Sequence, residues 1–164
     1  MTTPHSKCVA DANIWIDLHR GTLLDIAFRL PFQWLAPDLV INELEKTPSG
    51  RELVKRGLQS LELSGRSMQM VAQLSATHRR LSIPDLSALV LAKNQGIMLL
   101  TGDGKLRRLA RQEGIECHGI LWILDEMVRL GVLPFQQAAN ALQAILDAGS
   151  RLPAKECERA GMPM

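Results

Sequence analysis

The chain has 164 residues and a mass of 18.2 kDa, which suits one domain with its own core and leaves no room for a second. Apolar residues make up 46% and charged residues 22%, so a disordered chain, a collagen-like repeat and a disulfide scaffold are excluded. Nineteen Lys and Arg residues against seventeen Asp and Glu residues give a net charge of +2. Charge alone therefore indicates neither a nucleic acid nor a membrane as partner.

Cysteine and histidine residues form no metal-binding or disulfide pattern. Cys8, Cys117 and Cys157 are widely spaced, and no histidine stands at zinc-ligand spacing beside them, which predicts reduced thiols in a cytoplasmic protein. Cys117 and His118 are adjacent, so a thiol nucleophile with a neighbouring base is an alternative reading. The first seven residues contain no apolar stretch, and polar residues interrupt the longest uncharged run, so we expect neither a signal peptide nor a membrane span.

Short apolar runs alternate with helical patterns along the chain. The predicted strands are residues 8–10, 32–36, 58–63, 97–100 and 115–118. The predicted helices are residues 14–18, 23–30, 37–44, 49–57, 68–81, 82–96, 104–114, 120–130 and 135–148. A polar tail over residues 149–164 follows them.

The alternation of strands and helices predicts the fold class. Residues 97–100 (IMLL) have no polar face, which is typical of a strand buried on both sides of a parallel sheet. We therefore expect a three-layer α/β/α fold with a mainly parallel sheet of about five strands. One domain would span residues 1–164, with a core over about 7–118 and C-terminal helices over about 120–148.

Carboxylates follow the predicted strands. Asp11 comes directly after the first strand and Asp103 after residues 97–100, while Asp85 begins the helix that leads into the latter strand. Because sites of parallel sheets form outside the carboxyl ends of the strands, we expect these three side chains to converge. Glu43 would supply a fourth carboxylate, with Glu45 as an equally plausible neighbour.

Such a cluster has a chemical consequence. Carboxylates packed together repel one another and stay ionised mainly when a divalent cation compensates them. Oxygen ligands select Mg²⁺ or Mn²⁺. The aspartates also have a simpler reading as helix caps, because Ser82 to Asp85 has the form of a capping box, and Asp103 and either Asp11 or Asn13 each precede a helix. The simpler reading of Glu43 is a solvated helical residue.

Four motifs in chain order resemble the acidic motifs of the PIN domain. They are residues 9–13 (VADAN), 39–44 (LVINEL), 83–85 (IPD) and 99–106 (LLTGDGKL). This resemblance spans residues 7 to about 118, and residues 119–124 (GILWIL), Gly131 and residues 149–153 (GSRLP) resemble a bacterial and archaeal PIN group described as predicted nucleic-acid-binding proteins. Residues 11–15 (DANIW) are closer to the toxin-type PIN proteins.

The resemblance implies a metal-dependent endoribonuclease in which four carboxylates hold one or two Mg²⁺ or Mn²⁺ ions. The implied ligands are Asp11, Glu43, Asp85 and Asp103. Thr101 and Asn13 would orient the carboxylates or a water molecule. The resemblance further implies RNA as substrate, with a toxin role, an antitoxin partner and a homodimer as further expectations. The alternative is a PIN-like protein that binds nucleic acid or regulates a partner without hydrolysis.

An RNA backbone also requires cations around an acidic pocket, and basic residues stand beside two of the motifs. They are Arg79, Arg80, Lys105, Arg107, Arg108 and Arg111. Arg107 and Arg111 are four residues apart and share a helix face. We predict that these cations contact RNA phosphates, while an ordinary solvated helix face is the alternative.

Two other phosphoryl-transfer folds fit the sequence poorly. A haloacid dehalogenase fold needs Asp-x-Asp after the first strand, where residues 11–13 read DAN, and a receiver domain needs paired acids there and a late-strand Lys. The helix predicted over residues 135–148 carries one apolar stripe, formed by Ala138, Ala139, Leu142, Ile145 and Leu146. That stripe would pack on its own domain or, alternatively, form a groove or dimer surface.

Overall fold

A computed structural model describes residues 6–150 of the chain, so residues 151–164 of the predicted tail, with Cys157, lie outside it. The strands are β1 (Ser6–Ala10), β2 (Phe32–Pro37), β3 (Gln59–Leu61), β4 (Met98–Leu100) and β5 (Cys117–His118). The helices of this part are α1 (Ala12–Arg20), α2 (Leu24–Ala27), α3 (Asp38–Glu43), α4 (Gly50–Arg56), α5 (Gly65–Thr77), α6 (Ile83–Gln95), α7 (Gly104–Gln112), α8 (Ile120–Arg129) and α9 (Phe135–Asp147).

The five strands form one sheet in the order β3-β2-β1-β4-β5, and every neighbouring pair is parallel. At its centre, Val9 of β1 is in register with Leu35 of β2 and Leu99 of β4. The predicted fold class is therefore confirmed. Because the chain leaves β1 toward β2 and later returns on the other side of β1 with β4, the strand order reverses between β1 and β4, which is where such sheets bind ligands.

Two groups of helices cover the sheet. Helices α5, α6 and α7 pack in sequence on one another, and α1, α8 and α9 form the second group. Right-handed crossovers place the two groups on opposite faces. The apolar stripe of α9 belongs to this core, because Ala138, Leu142 and Ile145 are buried within the domain's own chain. None of the helices within residues 6–150 is long and apolar enough to cross a membrane.

Three predicted boundaries were wrong for local reasons. The helix expected over residues 68–81 begins at Gly65, because the Ser64 hydroxyl caps it by accepting from the Ser67 amide (3.2 Å), and it ends at Thr77. The helix expected over residues 23–30 shrinks to α2, which has no side-chain cap. The strand expected over residues 58–63 shrinks to β3, an edge strand paired only with β2.

A close approach between α3 and α4 fixes the end of α3. The Gly50 amide donates to the Leu44 carbonyl (2.8 Å), and a Cβ on Gly50 would lie 2.3 Å from the Ile41 carbonyl oxygen. Only glycine lets α4 turn back so closely against α3. The position of Glu43, the last residue of α3, follows from this contact.

Candidate active site

Asp11 lies at the centre of the carboxyl edge of the sheet and is 1% exposed. Its backbone amide donates to the Leu100 carbonyl of β4 (3.1 Å). One side-chain oxygen, Oδ1, accepts from the Ile14 amide (3.0 Å) and caps α1, while Oδ2 accepts a short hydrogen bond from the Thr101 hydroxyl. The fold therefore holds this carboxyl group in one orientation.

Burial raises the pKa of Asp11 from 3.8 to about 7. The hydrogen bonds from Thr101 and Ile14 lower the pKa, and the negative charges of Asp85 and Asp103 raise it further. The ionised group is thus costly to keep in the folded protein without a compensating cation. A divalent ion beside it would reverse that cost.

Asp103 begins α7 and is linked to Asp11 through Thr101. The Asp103 amide donates to the Thr101 hydroxyl oxygen (3.0 Å), and Thr101 is fully buried. Asp103 Oδ1 accepts from the amides of Lys105 (2.8 Å) and Leu106 (3.3 Å), so this residue is the helix cap that the simpler reading predicted. Its Oδ2 accepts no hydrogen bond from residues 6–150, and the residue is partly exposed at the edge of a cavity.

Two helices carry the other candidate carboxylates. Asp85 lies in the first turn of α6, and its amide donates to the Ser82 hydroxyl oxygen (3.1 Å), as in the predicted capping box. Burial raises the pKa of Asp85, and Asp103 adds to the rise. Burial and then the charge of Asp85 raise the pKa of Glu43, although its side chain is exposed. Glu45 lies beyond the end of α3 and is exposed.

The four candidate ligands are all carboxylates, which are the kind of ligand that a hard divalent cation prefers. Asp11, Asp85 and Asp103 are coupled by charge, and Glu43 is coupled to Asp85. Among residues 6–150, no group of three or more His, Cys, Asp or Glu side chains is placed to hold one metal ion. Mg²⁺ usually keeps several waters and takes only one or two protein carboxylates together with substrate phosphates, so a pair of these side chains satisfies its ordinary demand.

The predicted basic residues separate into two sets on α7. Lys105 and Arg108 line a cavity together with Arg79 and Arg80. Arg107 instead points inward, and its Nε donates to the Thr101 carbonyl (3.2 Å).

The guanidinium of Arg107 lies against Gly119. A Cβ on Gly119 would lie 2.1 Å from Arg107 Nη2, so the glycine makes space for the guanidinium. The charges of Arg107 and Arg111 both act on Cys117, which places these two cations on the side of α7 that faces β5. The shared face of Arg107 and Arg111 is therefore distinct from the face that borders the basic cavity.

The thiol alternative is not supported. Burial raises the pKa of Cys117 to about 11, so its thiolate is scarce near neutral pH. His118, the proposed neighbouring base, stacks on Trp122 with ring centroids 4.5 Å apart. Cys8 is buried, and burial raises its pKa as well.

A second cavity beside Asp103 brings in residues that the sequence analysis missed. Asn13 borders it with Asp103, as do Asp17, Arg20 and Ser150. The Ser150 hydroxyl forms a short hydrogen bond to Asp17, and Arg20 Nη1 donates to Ser150 Oγ (2.9 Å). The spacing of Asn13 and Asp17 by one helical turn was the available sequence signal, but the approach of Ser150 from 133 residues away had none.

Two solved structures are similar to this chain. The structure is similar to a PilT N-terminus domain protein, SSO1118, from the archaeon Sulfolobus solfataricus P2, with a TM-score of 0.51 and 13% identity over 74% of this chain and 93% of that one. It is also similar to PAE2754 from Pyrobaculum aerophilum, with a TM-score of 0.48 and 19% identity over 78% of this chain and 98% of that one. No curated protein matches the chain.

A family model settles the assignment. The model DUF3368, described as a PIN domain, matches residues 7–161 and so includes all four acidic motifs. PIN domain proteins are generally nucleases that bind nucleic acid and use divalent metals. On the extent of this match, the chain belongs to the PIN domain family.

Proposed function

We propose that this protein is an endoribonuclease that hydrolyses RNA phosphodiester bonds with Mg²⁺ or Mn²⁺. The observation that carries the proposal is a chain of carboxylates coupled by charge, in which Asp11 is coupled to Asp85 and Asp103, and Asp85 is coupled to Glu43. Asp11 is buried, with a pKa of about 7, where the strand order reverses. Keeping such carboxylates ionised in the folded protein costs free energy unless a cation compensates their charge. The candidate ligands are Asp11, Glu43, Asp85 and Asp103.

The chain's own residues would hold the ligands in place. Thr101 donates to Asp11 and accepts from the Asp103 amide, so one hydroxyl sets the relative position of two carboxylates. Ser82 fixes the first turn of α6, which carries Asp85. Asn13 is exposed beside Asp103 and would orient a water molecule or a phosphate. When bound, the divalent ion would activate a water and stabilise charge on the leaving oxygen.

Four carboxylates repel the phosphates of RNA, so a nuclease site of this kind needs nearby cations before RNA can approach it. Lys105, Arg108, Arg79 and Arg80 would supply them next to the acidic edge. Arg107 is bound to the Thr101 carbonyl and would act on the turn after β4 rather than on RNA. The toxin role, the antitoxin partner and the homodimer stay predictions of the resemblance.

A second candidate function is RNA binding without hydrolysis. It is favoured by the capping roles of Asp11 and Asp103, which use one oxygen of each carboxylate for structure, and by the lack of a three-ligand group within residues 6–150. Binding of divalent ions separates the two candidates. A hydrolase would bind Mn²⁺ or Mg²⁺ through these carboxylates. A binding protein would bind RNA equally well when the divalent ions are absent.

The test uses the purified full chain with labelled single-stranded RNA and calorimetric titration of Mn²⁺. We expect internal cleavage with Mg²⁺ or Mn²⁺, none with EDTA, and loss of both cleavage and Mn²⁺ binding in Asp103→Asn. Asp125→Asn is the control, because Asp125 is an exposed carboxylate on α8 and is not a candidate ligand. Unchanged cleavage by Asp103→Asn would refute the site. Absence of Mn²⁺ binding with intact RNA binding would favour the second function.

A further inference from the structure

The connection between α5 and α6 and one face of α7 enclose a cavity of about 430 Å³. Four cationic side chains line it, and no acidic residue does: Arg79, Arg80, Lys105 and Arg108. The buried side chains of Leu81 and Leu109 also line it, with Thr77, His78 and Gln112 as further polar groups. On α7 the lining positions 105, 108, 109 and 112 follow helical spacing, so one face of the helix forms one wall.

No carboxylate within the described residues 6–150 neutralises the four cations. Within residues 6–150, none of them forms an ion pair, whereas other surface cations do, such as Lys93 with Glu113 (2.7 Å) and Arg129 with Glu126 (2.6 Å). The chain's net charge is only +2, so this concentration of positive charge is local. Like charges gathered around one cavity repel unless an anion joins them.

The cavity adjoins the carboxylate site along the chain on both walls. Residues 77–81 of one wall directly precede Ser82 and the helix turn that carries Asp85. The other wall belongs to the helix that Asp103 caps, since the Lys105 amide donates to Asp103 Oδ1. A strand that leaves the carboxylate edge between α6 and α7 therefore meets this cavity next.

We propose that this cavity anchors phosphate groups of an RNA strand outside the cleaved bond, and that it does so without a divalent ion. The choice of RNA as the strand rests on the proposed function, but the anchoring does not require hydrolysis. Arginine forks match phosphate oxygens in a bidentate geometry. All four cations are exposed and are spread over two elements, which suits successive phosphates of a strand rather than one enclosed anion.

The experiment measures binding of a labelled single-stranded RNA of about ten nucleotides by fluorescence anisotropy, in EDTA and at several salt concentrations. The test variant is Arg80→Ala with Arg108→Ala. The control is Lys7→Ala with Arg29→Ala, which removes the same charge from exposed residues at the amino ends of β1 and β2, the opposite edge of the sheet. The slope of log affinity against log salt is negative, and each lost phosphate contact reduces its magnitude by about 0.7 for single strands. We therefore expect the magnitude to fall by about 1.4 in the test variant only. Equal slopes in the test variant and the wild type would overturn the proposal.

Further arms identify the source of the phosphate. Inorganic phosphate and a nucleoside triphosphate are added at matched ionic strength, and we expect neither to displace the RNA more than chloride does. Displacement by either one would assign the cavity to a small anion and overturn the strand anchor. If the wild type cleaves no RNA but the cavity variant still shows the reduced salt dependence, the proposed function fails and the anchor stands. If the wild type cleaves RNA and the cavity variant keeps the salt dependence of the wild type, only the anchor is refuted.

Discussion

The two halves of the candidate site are built differently. Asp11 and Asp103 follow β1 and β4, and the buried Thr101 hydroxyl joins them. Asp85 and Glu43 are carried by α6 and α3, where Asp85 is half-buried and Glu43 is exposed. One buried hydroxyl thus joins the strand-borne pair, with a large cost of ionisation at Asp11, whereas the helix-borne carboxylates are coupled to the site by charge. Substitutions in the strand-borne half should therefore change both stability and activity, whereas substitutions in the helix-borne half should change activity with smaller effects on stability.

The largest effect is expected for Asp11→Asn. The carboxyl group ionises near 3.8 in the unfolded chain and near 7 in the fold, so the native state binds the extra proton between these values. The free energy of unfolding contributed by Asp11 is fully present below about pH 4 and is lost as the pH rises through about 7. The shift corresponds to about 4 kcal/mol. Asparagine cannot ionise, so the variant should abolish cleavage while gaining stability at pH 8.

Chemical denaturation in EDTA at pH 5 and pH 8 measures this. The wild type should lose stability between the two values, and the variant should lose less. Glu62→Gln, at an exposed carboxylate just after β3, should leave the difference between the two pH values close to that of the wild type. The same pH dependence in Asp11→Asn and the wild type would contradict the burial argument for this carboxyl group.

Thr101→Val breaks the link inside the strand-borne half. Valine has nearly the shape of threonine, but the Asp103 amide loses its acceptor and Asp11 loses a donor in a buried place. We expect a loss of about 1–3 kcal/mol in the free energy of unfolding and a decrease of about 10–100-fold in activity. Thr101→Ser keeps the hydroxyl and should restore most of the cleavage rate. A serine variant as slow as the valine variant would show that shape, rather than the hydroxyl, matters.

The difference between the two halves also explains what the sequence could predict. The uninterrupted apolar run of β4 identified a buried strand, and Asp103, three residues past its end, could be placed at the edge of the sheet from the sequence alone. The Ser82 cap was predictable because it involves residues three positions apart. Local spacing thus predicted the fold class and the positions of the strand-end carboxylates.

Contacts between distant residues could not be predicted in this way. Arg107 and Lys105 look alike on a helix in sequence, yet Arg107 turns inward and donates to the Thr101 carbonyl, with its guanidinium against Gly119. The cavity that gathers Arg79, Arg80 and Lys105 depends on the packing of α7 beside the connection between α5 and α6. Helical periodicity gives the face of a residue but not the partner on which that face packs.

In the helix-borne half, Ser82→Ala should reduce stability moderately. It removes the cap of α6, so the Asp85 amide loses its acceptor, and we expect a loss of about 1 kcal/mol. Ser49→Ala is the matched control, because Ser49 caps α4 through the Glu52 amide (3.2 Å) and α4 carries none of the four carboxylates. Both variants should lose similar stability in thermal unfolding, but only Ser82→Ala should cleave RNA more slowly. Equal cleavage rates would separate the Ser82 cap from the function of Asp85.

The smallest effect on stability, and the sharpest distinction, is expected for Glu43→Gln and Glu45→Gln. Both side chains are exposed, so each change should alter the free energy of unfolding by no more than about 0.5 kcal/mol. Glu43 is the last residue of α3 and is coupled by charge to Asp85, whereas Glu45 lies past the helix end, with its amide donating to the Glu43 carbonyl (3.1 Å). We therefore expect Glu43→Gln to weaken Mn²⁺ binding and cleavage, and Glu45→Gln to match the wild type. The opposite result would transfer the role of second acidic ligand to Glu45, and the helix-borne half of the site would then extend into the loop after α3.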